Sequence, residues 1–215
     1  MNKNIDTIIF DLGGVLIDWN PRHLFRKLFD DEQAMEHFLG HVCTPEWHLQ
    51  HDAGKQFAET RDELRQRYPE HAALIDAFGD RHSEMMAGAI EGSVVLLERL
   101  AAANVPLFAI TNFPAQMYPV ARQRFPFLRL FRDVAVSGYE RLVKPDPALF
   151  HILLRRNDIA SSRAVFIDDT LRNVEAANAL GLHGIHFTSP EALERELRAL
   201  GLVTEQGQAR SGGRT

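Results

Sequence analysis

The residues of this chain best suited to chemistry stand where apolar runs end. Asp11 follows Thr7-Ile8-Ile9-Phe10 and opens the turn Asp11-Leu12-Gly13-Gly14-Val15. A second run, Ala164-Val165-Phe166-Ile167, ends in the adjacent acids Asp168 and Asp169. A third, Pro106-Leu107-Phe108-Ala109-Ile110, ends in Thr111-Asn112. Carboxylates from two such runs, brought together, can hold a divalent metal through oxygen ligands. Gly13 and Gly14 let a ligand approach the backbone closely. Thr111 adds a hydroxyl, and backbone N–H groups after it can face an anion. Lys144, in Val143-Lys144-Pro145-Asp146-Pro147, supplies a cation ahead of a proline-started helix. Together these are a nucleophile, a metal site and donors for a phosphoryl group. A lone aspartate in such a place is most often a turn former. Two adjacent acids need a further reason, because their charge is costly unless compensated.

Elements able to position these groups are legible in the pattern. Strands are expected near 6–10, 106–110, 134–136, 164–167 and 183–187, with helices near 93–103, 115–125, 147–156, 171–180 and 191–200 between and after them. Alternation of strand and helix with short links predicts a parallel sheet covered on both faces. The C-terminal edge of such a sheet is where its site lies. From Asn20 to about Ile90 no strand is expected. Asn20-Pro21 caps a helix running to Phe29, and Thr44-Pro45 repeats the signal. Phe57, Leu64 and Tyr68 share a helical face, Leu74, Ile75 and Phe78 mark another, and Met85, Met86 and Ile90 close the helical region. The fold class is therefore α/β, a Rossmann-like three-layer core with a helical insertion. The core takes 1–17 and 92–203, the insertion 18–91, and 204–215 reads as a disordered tail.

The chain has 215 residues, 45% hydrophobic and 25% charged, with a formal net charge of −5. It lacks a basic run, so the composition argues against a nucleic-acid binder. Cys43 is the single cysteine, which rules out an intrachain disulfide and points to the cytoplasm. The N-terminus lacks the apolar core of a signal peptide. The most apolar stretch, Ser93 to Ile110, is broken by Glu98, Arg99, Asn104 and Pro106 and reads as a helix then a strand, not a membrane span. Asp18 is expected in the flap leading to the insertion, Trp19 in hinge packing, and Arg22 on a solvated helix face. His41, His48 and His51 lack acidic or cysteine partners at ligand spacing and are expected on the surface of the insertion.

Four motifs, in order, carry a resemblance: Asp11-Leu12-Gly13-Gly14-Val15, Thr111-Asn112, Lys144-Pro145, and Asp168-Asp169 followed by Asn173. In these the chain resembles the haloacid dehalogenase-like hydrolase superfamily, nearest to its small sugar-phosphate-phosphatase-like members. The insertion resembles that family's helical cap. The resemblance implies magnesium-dependent hydrolysis of small phosphate monoesters, with a small phosphorylated metabolite as substrate and Asp11 as the nucleophile forming an aspartyl-phosphate. It implies Mg2+ held by Asp11, the Gly13 carbonyl and Asp169, with Asp168 acting through water. Thr111 and the Asn112 N–H would hold phosphate oxygens, Lys144 would neutralise charge, and Asn173 would orient the acidic loop. In one respect the chain departs from the family pattern: the position two after the nucleophile, usually an aspartate serving as general acid and base, is Gly13. Two rivals follow. One is a hydrolytic 2-haloacid dehalogenase, in which Asp11 attacks carbon. The other is a weakly active member that binds a phosphometabolite or a protein partner.

Overall fold

The computed structural model describes residues 5–203. Strand β1 (Thr7–Phe10) is followed by β2 (Ile17–Trp19) and, far along the chain, by β3 (Met86–Ala89). Then come β4 (Leu107–Thr111), β5 (Asp133–Val136), β6 (Ala164–Asp168) and β7 (His183–His186). Five of these form one parallel sheet in the order β5-β4-β1-β6-β7. The chain leaves β1 for β4 on one side and returns to β6 on the other. The C-terminal ends of β1, β4 and β6 therefore flank the point where strand order reverses, which is the crevice an open α/β sheet offers to ligands.

The β period of two sends alternate side chains to opposite layers. Ile8, Phe10, Leu107, Ala109, Val165 and Ile167 enter one buried cluster. Ile9, Phe108, Ile110 and Phe166 enter the other.

Helices α1 (Arg22–Phe25), α2 (Glu32–His41), α3 (Pro45–Asp52), α4 (Phe57–Arg67) and α5 (Ala72–Asp80) lie between β2 and β3. The remainder are α6 (Glu91–Ala102), α7 (Tyr118–Arg124), α8 (Ser137–Glu140), α9 (Pro147–Arg156), α10 (Leu171–Ala179) and α11 (Pro190–Ala199). Leu97 and Leu100 of α6 and Leu193 and Leu197 of α11 cover one face of the sheet. Leu149, Phe150 and Leu153 of α9 cover the other. The chain is thus a three-layer α/β fold.

The inserted helices pack on a third cluster of their own, with Phe25, Phe38, Trp47, Phe57, Ile75 and Phe78 at its centre. Their ends follow the sequence signals. Thr44 Oγ1 accepts from the Trp47 N–H at 3.2 Å with proline in the first turn of α3, and Asp31 accepts from Ala34 N–H at 2.9 Å to start α2. The helix expected to reach Phe29 stops sooner, because regular α-helix in that segment spans only Arg22–Phe25.

The expectation of no strand between Asn20 and Ile90 is corrected. β3 pairs antiparallel with β2, Ile17 opposite Ala89 and Asp18 opposite Gly88. This ribbon carries the chain into the insertion and out again. Met86, expected to pack within the insertion, lies on β3 and joins the sheet cluster, whereas Met85 stays with the insertion. No helix among the described residues is long and apolar enough to cross a membrane. The tail expected to be disordered, 204–215, lies outside the described residues.

Candidate active site

Asp11 leaves the end of β1 anchored to its neighbour strand, its N–H donating to the Ile167 carbonyl at 2.8 Å. Its side chain turns back to accept from the Leu12 N–H at 2.7 Å. Lys144 Nζ reaches Asp11 Oδ2 at 2.8 Å and Asp168 Oδ2 at 2.7 Å, with only 1% of its side chain exposed. Asn173 Nδ2 donates to both Asp168 oxygens at 3.0 and 3.2 Å, and the Thr170 N–H donates to Oδ1 at 2.8 Å. Asp168 is therefore wholly engaged behind the site, while the neighbouring Asp169 is exposed to the cavity.

The loop carrying Lys144 is itself clamped. Its N–H donates to Asn112 Oδ1 at 2.7 Å, and Asn112 Nδ2 donates to its carbonyl at 3.3 Å. Positioning Lys144 through its side chain is thus a structural part played by Asn112 that the sequence pattern did not suggest. Thr111 ends β4 and is buried, and it does not line the cavity.

Asp11, Asp168 and Asp169 each offer a carboxylate oxygen, and these atoms lie within 4.8 Å of one another. Burial, with Asp168 and Asp169 adding to it and Lys144 opposing it, raises Asp11 to about 7. Burial and then Asp168 raise Asp169 as well. For Lys144, burial works against its charge, but Asp11 and Asp168 more than offset this and hold it above the ordinary lysine value. Excess negative charge confined in this way fits a divalent cation. Gly14 has φ +71° and backs directly onto Asp169, so that a Cβ there would overlap the carboxylate. Gly13 differs: a Cβ there would meet nothing nearer than Trp19 Cβ at 3.8 Å.

Above these groups lies a cavity of about 470 Å³. Its sheet-edge side includes Asp11, Gly13, Asn112 and Asp169, and its insertion side includes His48, Leu49, Asp52 and His82. Trp19 lines it from the β2 end and stacks on His48, ring centroids 5.0 Å apart.

The expectation for the histidines is corrected for two of three. His41 is exposed, but His51 is fully buried and His48 faces the cavity. Burial holds His48 well below the ordinary histidine value and lowers His51 and His82 to about 4. His51 Nε2 lies 2.6 Å from Thr60 Oγ1. By contrast His48 Nε2 and both ring nitrogens of His82 are buried without a partner.

His82 and Asp52 drew no attention in the sequence, since neither sits in a motif. The one local clue is Gly54, which ends the α3 turn just after Asp52. Asp18 instead pairs with His23 at 2.9 Å and does not line the cavity. Arg22 is tied to Glu36 through two nitrogens and does not line it either.

The model of the haloacid dehalogenase-like hydrolases matches residues 5–181. A sesquiterpene phosphatase of Aspergillus oryzae, astK, is 31% identical over 201 residues, covering 89% of this chain and 94% of that one. A phosphoglycolate phosphatase of Photobacterium profundum is 28% identical over 193 residues, covering 86% and 84%. Among solved structures, a HAD-family enzyme of Bacteroides thetaiotaomicron in complex with magnesium and inorganic phosphate superposes with a TM-score of 0.65 at 24% identity, covering 86% and 95%. That last likeness is one of fold.

Proposed function

The chain belongs to the haloacid dehalogenase-like hydrolases, and on that premise we propose that it is a magnesium-dependent phosphatase of small phosphate monoesters working through an aspartyl-phosphate on Asp11. The observation that carries this reading is the Asp11 carboxylate on the cavity floor, 2.8 Å from the buried ammonium of Lys144 and within carboxylate reach of Asp169. A buried lysine held between two acids keeps a cation beside the nucleophile without leaving it free to react itself.

The roles follow from placement. One oxygen of Asp11 is held by the Leu12 N–H and the other by Lys144, so the carboxylate presents a fixed face to phosphorus. Lys144 offsets charge as the phosphoryl group transfers. Asp11 and Asp169, with the Gly13 carbonyl, would hold Mg2+, and Asp168 would act at one remove because its oxygens are already engaged. When bound, the ion supplies positive charge opposite the phosphate oxygens. The Asn112 N–H, with Thr111 beneath it, is the proposed anion contact at the β4 end. Asn173 keeps Asp168 in place.

We take the helical layer, 18–91, as a cap closing over a core of 1–17 and 92–203. Its cavity wall suits a leaving group that is uncharged and hydroxylated, as in a sugar phosphate. His48 and His82 line it as uncharged rings, and Trp19 offers a ring face. Glu46 on the same wall disfavours a second anionic group there, with Arg172 on the α10 side of the cavity. Three clustered carboxylates fit a divalent metal, which phosphoryl transfer uses and attack of Asp11 on carbon does not need, and this favours the phosphatase over the dehalogenase. A pure binder would gain nothing from a nucleophile with a buried cation beside it. The test is a screen of phosphorylated metabolites with magnesium and with chelator. Metal-dependent release of phosphate supports the reading, and halide release from 2-haloacids in chelator contradicts it.

A further inference from the structure

Proton transfer to the leaving oxygen has no donor at the sheet edge. Asp11 is the nucleophile in the reading above, on which this inference rests. Asp169 faces the metal position, Lys144 is tied to two carboxylates, and Gly13 has no side chain. We infer that Asp52, carried on the insertion, is the general acid that protonates the leaving group and then the base that activates water.

Its position supports this. Asp52 lines the same cavity as Asp11 and Gly13, is 5% exposed, and its Oδ1 has no hydrogen-bond partner. The nearest cation-forming group, His48 Nδ1, is 3.8 Å from Oδ2, beyond hydrogen-bond distance. An unpartnered buried carboxyl oxygen on a residue that lines a ligand cavity is either a large uncompensated cost or a group that awaits a partner.

Its protonation fits the role. Burial pushes Asp52 up to about 8, with Lys144 opposing and Asp11 adding. Asp52 is also the last residue of α3, and the negative end of a helix disfavours a carboxylate there. The histidines around it, His48 and His51 on its own helix and His82 before β3, are held neutral and supply no offsetting charge. Across the cavity, Asp169 adds negative charge and Arg172 of α10 positive charge, and Arg141, after α8, packs against the turn that follows Asp52. A carboxylic acid with a raised value is protonated at neutral pH and able to donate. The histidines have no proton to give there. Glu46, the remaining carboxyl lining the cavity, is exposed at its rim.

Gly54 fixes where the acid sits. It has φ +98°, and a Cβ there would lie 3.0 Å from the Gly138 carbonyl and 3.1 Å from Arg141 Cγ. The turn after Asp52 therefore seats directly on α8 of the sheet domain, so the acid is registered against Asp11 when the insertion is closed.

The step balances. Asp11 attacks phosphorus, the bond to the leaving oxygen breaks, and the electron pair on that oxygen takes the Asp52 proton as the alcohol departs. Asp52, now a carboxylate, accepts a proton from water as its oxygen attacks phosphorus. The bond to Asp11 breaks, phosphate leaves, and both acids return to their starting state.

The experiment measures the rate of Asp11 phosphorylation, as the burst of released alcohol, for phosphates of graded leaving-group acidity. It uses the full chain at saturating magnesium, comparing wild type with Asp52→Asn. Loss should grow as the leaving group becomes less acidic, reaching about 10²–10⁴-fold for a simple alkyl phosphate and being smallest for 4-nitrophenyl phosphate. The basic limb of the alkyl profile near pH 8 should disappear. Adding Gly13→Asp to Asp52→Asn should restore alkyl phosphorylation in part, because a side chain at that position has room. That rescue separates lost acid from lost fold. An equal loss for alkyl and aryl substrates, or none for either, overturns the inference and leaves the phosphatase reading standing. A wild-type protein inert toward 4-nitrophenyl phosphate overturns that reading itself.

Discussion

Lys144 and Asp168 form an ion pair at 2.7 Å from which solvent is almost wholly excluded, since their side chains are 1% and 0% exposed. The pair lies behind the reactive face of Asp11 and fixes the lysine from the side opposite the cavity. Asp168 is thereby a structural acid as much as a chemical one, and its neighbour Asp169 is the acid left to the ligand.

Separating the two acids is the first expectation. Lys144→Ala leaves two buried carboxylates without their cation and should cost about 3–5 kcal/mol in urea unfolding, and Asp168→Ala, which strips Lys144 of one of its two partners, should cost less than that. Asp169→Ala should cost little stability, because that side chain is exposed, yet should remove magnesium binding in calorimetry. Equal stability losses for Asp168→Ala and Asp169→Ala would contradict the division.

The adjacent glycines should respond oppositely to one methyl group. Gly14→Ala forces an L-residue to φ +71° and drives its Cβ into Asp169. It should lose stability by roughly 1–2 kcal/mol from the backbone alone, with a further loss of magnesium affinity. Gly13→Ala meets only Trp19 at 3.8 Å and should melt close to wild type. Melting curves of the two variants with and without magnesium decide it.

Stability of the metal-free protein should fall as pH rises above neutral. Buried His51 and His82 sit at about 4, below the ordinary 6.5, so the unfolded chain binds more protons across that interval and stability rises with pH there. Asp52, raised from 3.8 to about 8, acts in the opposite sense, because the folded chain keeps a proton that the unfolded one has lost. Asp11, raised to about 7, adds to this over the lower part of the range. Three depressed histidines, counting His48, oppose three raised acids, counting Asp169, below 6.5; above it the histidines no longer act and the acids leave a fall. The fall due to Asp52 is about 1.4 kcal/mol per pH unit and should be absent from Asp52→Asn. Urea midpoints between pH 5 and 8 measure it, and stability that keeps rising through pH 8 would refute it.

Much of this site is legible in the sequence because its parts lie at strand ends. Ile8-Ile9-Phe10, Phe108-Ala109-Ile110 and Val165-Phe166-Ile167 are continuous apolar runs, as strands buried on both faces must be, and each hands its polar residues to one sheet edge. The β2–β3 ribbon is not legible: Ile17-Asp18-Trp19 is three residues long, and Met86-Ala87-Gly88-Ala89 lacks the β-branched residues that mark a strand. The insertion side is hidden for another reason. His48 and His51 lie on a helix whose burial depends on how the inserted helices close over the sheet, and His82 lies in a turn between α5 and β3. Gly54 aside, nothing local separates Asp52 from the exposed acids around it. Only the fold brings it opposite Asp11.

Magnesium should also stabilise the folded protein by mass action. At a concentration 100 times the dissociation constant the gain is about 2.7 kcal/mol, read as a higher melting temperature that chelator reverses. A melting temperature indifferent to magnesium would argue against the site at Asp11 and Asp169.

Covalent transfer to Asp11 is read by peptide mass analysis of acid-quenched enzyme during the first turnover of 4-nitrophenyl phosphate. A phosphoryl group on the peptide bearing Asp11, appearing with the burst of nitrophenol and absent from Asp11→Asn, is the expected result. A burst whose phosphoryl group sits on another residue, or turnover that persists in Asp11→Asn, would show that Asp11 is not the nucleophile.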